Sequence, residues 1–181
     1  MKLLLVTEKT LTSITLDDAK KHLRVTHSED DDYIYTLILV AHDFCENYTN
    51  RKYEAETWKL LLDKFPNEIE LPFSPVSSVT HVKYYDTDNA QQPLVLNTDY
   101  EYSLNSEPVV IRPIGSWPGV YDKYEAIEVQ FVCGVTAPEA TPPGFRHAMK
   151  LLISDMYNKR ESTVHRYPTT VDQLLIPLKM Y

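Results

Sequence analysis

The segment from Ser28 to Arg51 is the longest periodic stretch before the C-terminal third, and it constrains the fold most. Four consecutive acids, Glu29 to Asp32, open it. The acids favour the positive end of a helix dipole, and Asn50 marks a stop. We therefore expect a helix at about 30–49 on which the rest of the chain packs. Its apolar residues recur at the spacing of one helical face: Ile34, Leu37, Ile38, Ala41, Cys45 and Tyr48.

Two more helices are expected, one on each side of a long non-helical region. The first, at about 15–24, begins at Thr15, the N-cap of a capping box with Asp18. The other, at about 143–160, follows a proline-rich connection and ends on basic Lys159, which suits the negative end of the dipole. Because the first helix closely precedes the long one, the two suggest a helical hairpin.

Between these helices, residues 57–134 alternate apolar and polar side chains in short runs separated by turn residues. Ala126 to Val132 is the clearest alternating strand, and Asp86 to Asn89 has the composition of a hairpin connection. We expect an antiparallel β insertion, either a small sheet or a sandwich. The predicted class is α+β: a small helical bundle core with this β insertion and a C-terminal docking tail.

The predicted boundaries are an N-terminal arm over 1–14, a main domain over 15–162 and a C-terminal tail over 163–181. In the arm, Leu3 to Val6 suits either an edge strand or a docking segment. The net charge of −8 argues against binding nucleic acid through its phosphates, which needs a basic face. Residues 142–181 depart from this acidic balance, because they contain six Lys or Arg against three Asp or Glu.

No pattern of residues predicts catalysis, a metal site or a cofactor. Cys45 and Cys133 lie far apart, no CxxC pair exists, and Cys45 falls on the apolar stripe. The acidic run lacks the glycine and the later glutamate of a calcium loop. No signal peptide and no apolar run long enough to span a membrane is recognised, so we expect a soluble, intracellular, non-enzymatic protein.

The C-terminus is unusually apolar and follows a polar linker. Such a segment must be buried, either against the chain's own core or against another protein. The residues concerned are Val171, Leu174, Leu175, Ile176, Leu178, Met180 and Tyr181.

In a series of sequence segments that occur in the same order, the chain resembles the head-tail connector (adaptor) proteins of tailed bacteriophages. The resemblance covers most of residues 14–178. It rests on ITLDDAKKHLRV at 14–25, the acidic run with the long helix ending YTNR, TWKLLLDKFP at 57–66, IELPFSPVSSV at 69–79, YYDTD at 84–88, and then GSWP, VQFVCG and the helix after Pro142.

The resemblance implies a ring, typically of twelve copies, in the virion neck, made in the host cytoplasm. Its implied partners are further copies of the chain, the portal protein and a tail-side neck or tail completion protein. Genomic DNA would pass through without sequence-specific binding, and no membrane or catalytic residue is implied. The family's C-terminal docking segment suggests that the apolar C-terminal residues bind the portal. As a second hypothesis, the acids Glu29, Asp30, Asp31 and Asp32 line the channel and repel the DNA phosphates.

A different class of function stays open, a non-catalytic binding module whose β insertion recognises a protein or a glycan. Its binding residues would be aromatic. The same residues also suit packing within the sheets. They are Tyr84, Tyr85, Tyr100, Tyr102 and Trp117.

Overall fold

Two compact units, four α-helices and eight strands make up the part of the chain that this computed structural model describes, residues 1–7, 13–135, 140–159 and 169–180. The β unit comprises Met1–Thr10 and Glu54–Val135, and the helical unit comprises Leu11–Tyr53 and Thr136–Tyr181. The helices are α1 (Leu16–Leu23), α2 (Asp31–Thr49), α3 (Pro143–Asn158) and α4 (Thr169–Leu175). The strands are β1 (Lys2–Thr7), β2 (Glu56–Leu62), β3 (Ile69–Glu70), β4 (Val76–Tyr85), β5 (Gln91–Leu94), β6 (Tyr100–Tyr102), β7 (Val110–Pro113) and β8 (Ile127–Cys133).

Side-chain hydrogen bonds and backbone conformation set the ends of the helices. The Thr15 hydroxyl accepts from the Asp18 N–H at 3.1 Å, and the Asp18 carboxylate accepts from the Thr15 N–H, so the predicted capping box is confirmed. Helix α2 ends at Thr49 because Asn50 adopts the left-handed conformation, with φ 54°, that closes helices.

The core of the helical unit is the apolar stripe of α2 packed against that of α3. All of the predicted α2 stripe from Ile34 to Cys45 is buried, and Tyr48 is half-buried. On α3 the buried side chains are Phe145, Ala148, Met149, Leu152 and Ile153.

Two antiparallel sheets build the β unit, in the strand orders β1-β2-β8-β4-β5 and β3-β7-β6. Strand β8 illustrates how the sequence forms these sheets. Its residues Ile127, Val129 and Phe131 alternate with polar residues and are fully buried. They join Ile111 and Leu71 in one apolar cluster to which both sheets contribute. The predicted α+β class with an antiparallel β insertion is confirmed, and the Asp86–Asn89 hairpin joins β4 to β5.

At the N-terminus, β1 pairs with β2 at the edge of the larger sheet, which is the edge-strand alternative for Leu3 to Val6. Strand β1 belongs to the β unit and α4 packs in the helical unit. The predicted boundaries of arm, main domain and tail stay a prediction. No described helix is long and apolar enough to cross a membrane.

Gly134 follows β8 at a very close approach to the start of β2. Its φ is +89°, and its N–H donates to the Pro75 carbonyl at 2.8 Å. A Cβ on Gly134 would lie 1.9 Å from the Glu54 carbonyl oxygen, whereas a Cβ on Gly115, at φ +93°, would meet nothing within 4 Å. The two glycines share a positive φ and differ in the space around them.

We expect Gly134→Ala to lower the free energy of unfolding by about 2–4 kcal/mol, because a backbone clash adds to the strain of positive φ. Gly115→Ala, the control, should cost about 1 kcal/mol from positive φ alone. Chemical denaturation followed by tryptophan fluorescence measures both, since Trp58 and Trp117 lie in the β unit. Equal losses would mean that the close approach does not constrain this site.

Glu128 of β8 bridges three strands on the sheet face opposite the apolar cluster. Its carboxylate lies 3.0 Å from the Lys59 ammonium of β2 and 2.9 Å from the His81 ring of β4. Partial burial raises the pKa of Glu128, but the hydrogen bonds from His81 and Lys59 outweigh it, so the pKa is lowered overall. A carboxylate with a lowered pKa stabilises the fold above its unfolded pKa, and this stabilisation is lost as the pH falls through the folded pKa.

We expect Glu128→Gln to lower the free energy of unfolding by about 0.5–1 kcal/mol at neutral pH. The difference from the original chain should shrink as the pH falls below about 4.3, the usual pKa of a glutamate, because Glu128 itself then becomes protonated. Denaturation at neutral and acid pH measures this. Glu68→Gln, which removes an exposed carboxylate paired with Arg112 at 3.0 Å, is the control. A difference that grows in acid would contradict the assignment.

Candidate assembly surfaces

The structure divides the apolar C-terminal residues between the core and the surface. Val171 and Leu175 of α4 are 0% exposed and belong to the core of the helical unit. Leu174 and Leu178 are half-buried against the same core. Ile176, in the turn that follows α4, is 49% exposed. Burial against the chain's own core therefore holds for part of the segment, and a partner could reach the rest.

The residues after α4 are tied to the end of α2. The Met180 N–H donates to the Thr49 carbonyl at 2.9 Å, and the Lys179 ammonium lies 5.7 Å from the centre of the Tyr48 ring. The backbone of this segment thus has a defined position, while the side chain of Met180 stays half-exposed. Tyr181 lies outside the described residues. Portal docking by the predicted residues stays a prediction.

The four acids at the start of α2 also fall into two groups, two that contact other helices and two that are exposed. The Asp31 carboxylate binds the Lys20 ammonium at 2.6 Å, and the Asp30 carboxylate accepts a hydrogen bond from the Tyr157 hydroxyl. These two acids fasten α2 to α1 and to α3. Glu29 and Asp32 are exposed. Whether the run lines a channel stays a prediction, and two of its four carboxylates have structural partners.

The aromatic residues of the β insertion mostly pack on one another. Trp117 stacks on Phe65 with ring centres 4.4 Å apart, and its indole N–H donates to the Asn67 carbonyl. Tyr84 also contacts Phe65, at 6.0 Å. Tyr100 is buried and stacks with Tyr102 at 6.4 Å. The remaining member, Tyr85, lies under the Lys123 ammonium, 3.2 Å from its ring centre. This arrangement does not favour the binding-module alternative.

Cys45 is placed for packing and not for reaction. It is fully buried on α2, and burial, with a further contribution from the Glu46 carboxylate, raises the pKa of its thiol to about 12. The reactive thiolate is therefore scarce at neutral pH. Cys133 is buried as well, on β8.

One polar cluster on α2, formed by the buried His42 and Glu46 and the exposed Asp43, was not predicted from the sequence. Their potential ligand atoms lie within 4.8 Å of one another. The buried Glu46 carboxylate, however, accepts hydrogen bonds from the Tyr53 N–H at 2.8 Å and from the Lys52 ammonium at 3.2 Å. These bonds anchor the segment that follows α2. The sequence signal was present: His42 and Glu46 are four residues apart and continue the buried face of the helix.

Comparison with known proteins identifies a family. The model of the phage gp6-like head-tail connector protein family matches residues 13–106, which is just over half of the chain. No curated protein sequence matches the chain.

Solved structures share the fold over the whole chain. A chain in the neck of an empty gene transfer agent (GTA) particle, computed with C6 symmetry, superposes with a TM-score of 0.83 at 19% identity, covering 100% of this chain and 96% of that one. A chain in the virion of a native GTA particle gives 0.83 at 20% identity with the same coverage. A third, in the neck of a native GTA particle computed with C12 symmetry, gives 0.80 at 20% identity with the same coverage.

The division of the C-terminal segment is testable by one pair of substitutions. Leu175→Asp should lower the free energy of unfolding by about 3–5 kcal/mol, because it buries an unpaired charge. Ile176→Asp should change it by less than about 0.5 kcal/mol, since its neighbourhood is open to water. Chemical denaturation followed by far-ultraviolet circular dichroism measures both. Equal stability of the two variants would show that α4 is not part of the core.

Proposed function

Because the chain belongs to the phage gp6-like head-tail connector protein family, we propose that it is a structural virion protein of the neck, a ring of twelve copies that joins head to tail. The observation that carries this proposal is the family match over residues 13–106. The full-length likeness to chains from GTA necks, one computed with C12 symmetry, supports the ring. The proposal includes no catalytic step.

The proposed partner on the head side is the portal protein, and the proposed contact is the C-terminal segment. Since Val171 and Leu175 are fully buried within the helical unit, they position the segment and do not themselves meet a partner. Ile176 and Met180 keep apolar surface exposed after α4. Removing such surface from water contributes about 25 cal/mol per Å², before the entropic cost of association is subtracted. A tail-side neck or tail completion protein is the proposed partner at the other end of the ring.

The ring would extend the DNA channel, and the charge of the chain suits that task. A net charge of −8 favours repulsion of phosphates over binding to them. Within the acidic run, the carboxylates exposed to solvent are those of Glu29 and Asp32, whereas Asp30 and Asp31 have partners in the helical unit. The DNA would then move past without sequence-specific contacts.

Native mass spectrometry of the purified chain, alone and mixed with the portal protein, tests the proposal. We expect a ring of about twelve copies, or a portal-bound set of matching symmetry. A chain that stays monomeric even with the portal present would overturn it.

The docking segment is tested by the double substitution Ile176→Asp and Met180→Asp in the same assay. It should abolish binding to the portal, because two charges would replace the apolar contact, while the circular dichroism spectrum stays unchanged. Val95→Asp in the β unit, at a residue that is 55% exposed, is the matched control and should bind as the original chain does. Unchanged binding of the double variant would remove the C-terminal segment as the docking site.

A further inference from the structure

A polar pocket of about 310 Å³ opens on the helical unit, between the start of α1 and the first half of α3. Its cationic side chains, Arg146 and Lys150, are four residues apart on α3 and so lie on one face of that helix. Neither side chain forms an ion pair within the described ranges of the chain. The pocket is lined by Ser13, Asp18, Pro143, Arg146, His147 and Lys150.

The permanently charged side chains that line this pocket are two cations and one carboxylate. The one carboxylate in its lining, Asp18, is engaged in the capping box, and its hydrogen bond from the Thr15 hydroxyl, at 2.8 Å, lowers its pKa. Desolvation lowers the pKa of His22, and the charges of Lys150 and His147 lower it further. The N-terminus of α3, a helix of 16 residues, also contributes the positive end of its dipole. In the described residues, no side chain caps that helix end and its first turn holds no acid.

We propose that this pocket binds a carboxylate of a neighbouring copy of the chain, namely Asp32 on the outer face of α2. This rests on the proposed function, because it supplies the contact between successive copies in the ring. A closed ring of identical subunits needs a head-to-tail interface made of two different, complementary surfaces. The basic pocket, defined by Arg146 and Lys150, is one surface, and the outer face of α2 is the other.

The outer face of α2 has the properties of a surface that becomes covered. Beside the exposed Asp32 it presents apolar side chains, Tyr35, Leu39 and Val40, which are 52%, 37% and 48% exposed. An amphipathic helix packed on its own core normally directs polar residues outward. Asp43 is exposed on the same face, so the surface combines two acids with apolar side chains, as does an interface in which charge contacts are surrounded by apolar packing.

One copy cannot bring its own Asp32 to its own pocket. The start of α2 lies beside the end of α3, because the Tyr33 hydroxyl donates to the Met156 carbonyl at 3.4 Å. Lys150 is six residues earlier on α3, a separation of about 9 Å along the helix axis at 1.5 Å per residue. The two surfaces therefore lie at different levels of the same helical unit, and a second copy is the partner that can join them.

A carboxylate suits the pocket better than the phosphates of DNA. Only two permanently charged cations line it, and one carboxylate, Asp18, lies beside them. Binding to duplex DNA needs an extended basic surface that neutralises several phosphates at once. A chain with a net charge of −8 does not supply one, whereas a single acid from an equally acidic neighbour matches a small site.

Charge exchange tests the contact, with native mass spectrometry reading the assembly found for the original chain, with portal protein if the ring needs it. Lys150→Glu alone and Asp32→Lys alone should each weaken ring assembly by about tenfold or more, since each places like charges together. An equimolar mixture of the two variants should restore rings, because alternating copies then place opposite charges at every junction. The double variant should restore them as well. Lys64→Glu, an exposed lysine of the β unit, is the control and should assemble normally.

The outcomes separate this inference from the proposed function. If the original chain forms no ring with or without the portal, the proposed function fails and this contact fails with it. If the original chain forms rings and Lys150→Glu forms them equally well, the pocket contact is overturned while the ring stands. If the single variants lose assembly but their mixture does not regain it, Asp32 is not the occupant. If Lys150→Glu assembles normally but loses binding to duplex DNA in a gel shift, the pocket binds phosphates.

Discussion

The packing of α3 against α2 is the contact on which the helical unit depends, because residues 50–142 separate the two helices in sequence. Phe145 is central to it: its ring lies 4.0 Å from that of Tyr53 and 5.8 Å from that of His42, centre to centre. Glu46 positions Tyr53 by accepting its N–H. A buried carboxylate thus fixes the point where the chain leaves for the β unit, which explains why a charge is retained in an apolar core.

Local signals made the helices and strands predictable. The stripe from Ile34 to Cys45, the capping box at Thr15 and the alternation in β8 each specify an element within a few residues. Long-range facts were not predictable in this way. That β1 joins the sheet of β2, and that Val171 and Leu175 bury inward while Ile176 does not, depends on which distant surfaces meet. A seven-residue helix such as α4 is too short for its periodicity to decide this.

The contacts of the charged residues could be predicted from the sequence less well than the fold. A run of four acids looks uniform in sequence, yet the structure gives Asp31 a lysine and Asp30 a tyrosine hydroxyl, and leaves Glu29 and Asp32 exposed. Likewise, Arg146 and Lys150 were part of a general basic excess at the C-terminal end. Their significance appears when α1 brings Asp18 beside them to form a pocket. Partners that come from other elements decide what a charged residue does.

A charge contact between copies would also help the ring to assemble with the correct pairing of surfaces. Purely apolar surfaces discriminate poorly between partners, whereas charge complementarity sets the register of the contact and penalises wrong pairings. A pocket with two cations accepts one carboxylate and repels a second copy's basic face, so head-to-tail contact is favoured over face-to-face dimers. The apolar side chains beside Asp32 then add burial once the register is fixed. In this arrangement α2 both forms the core of its own subunit and carries the contact to the next.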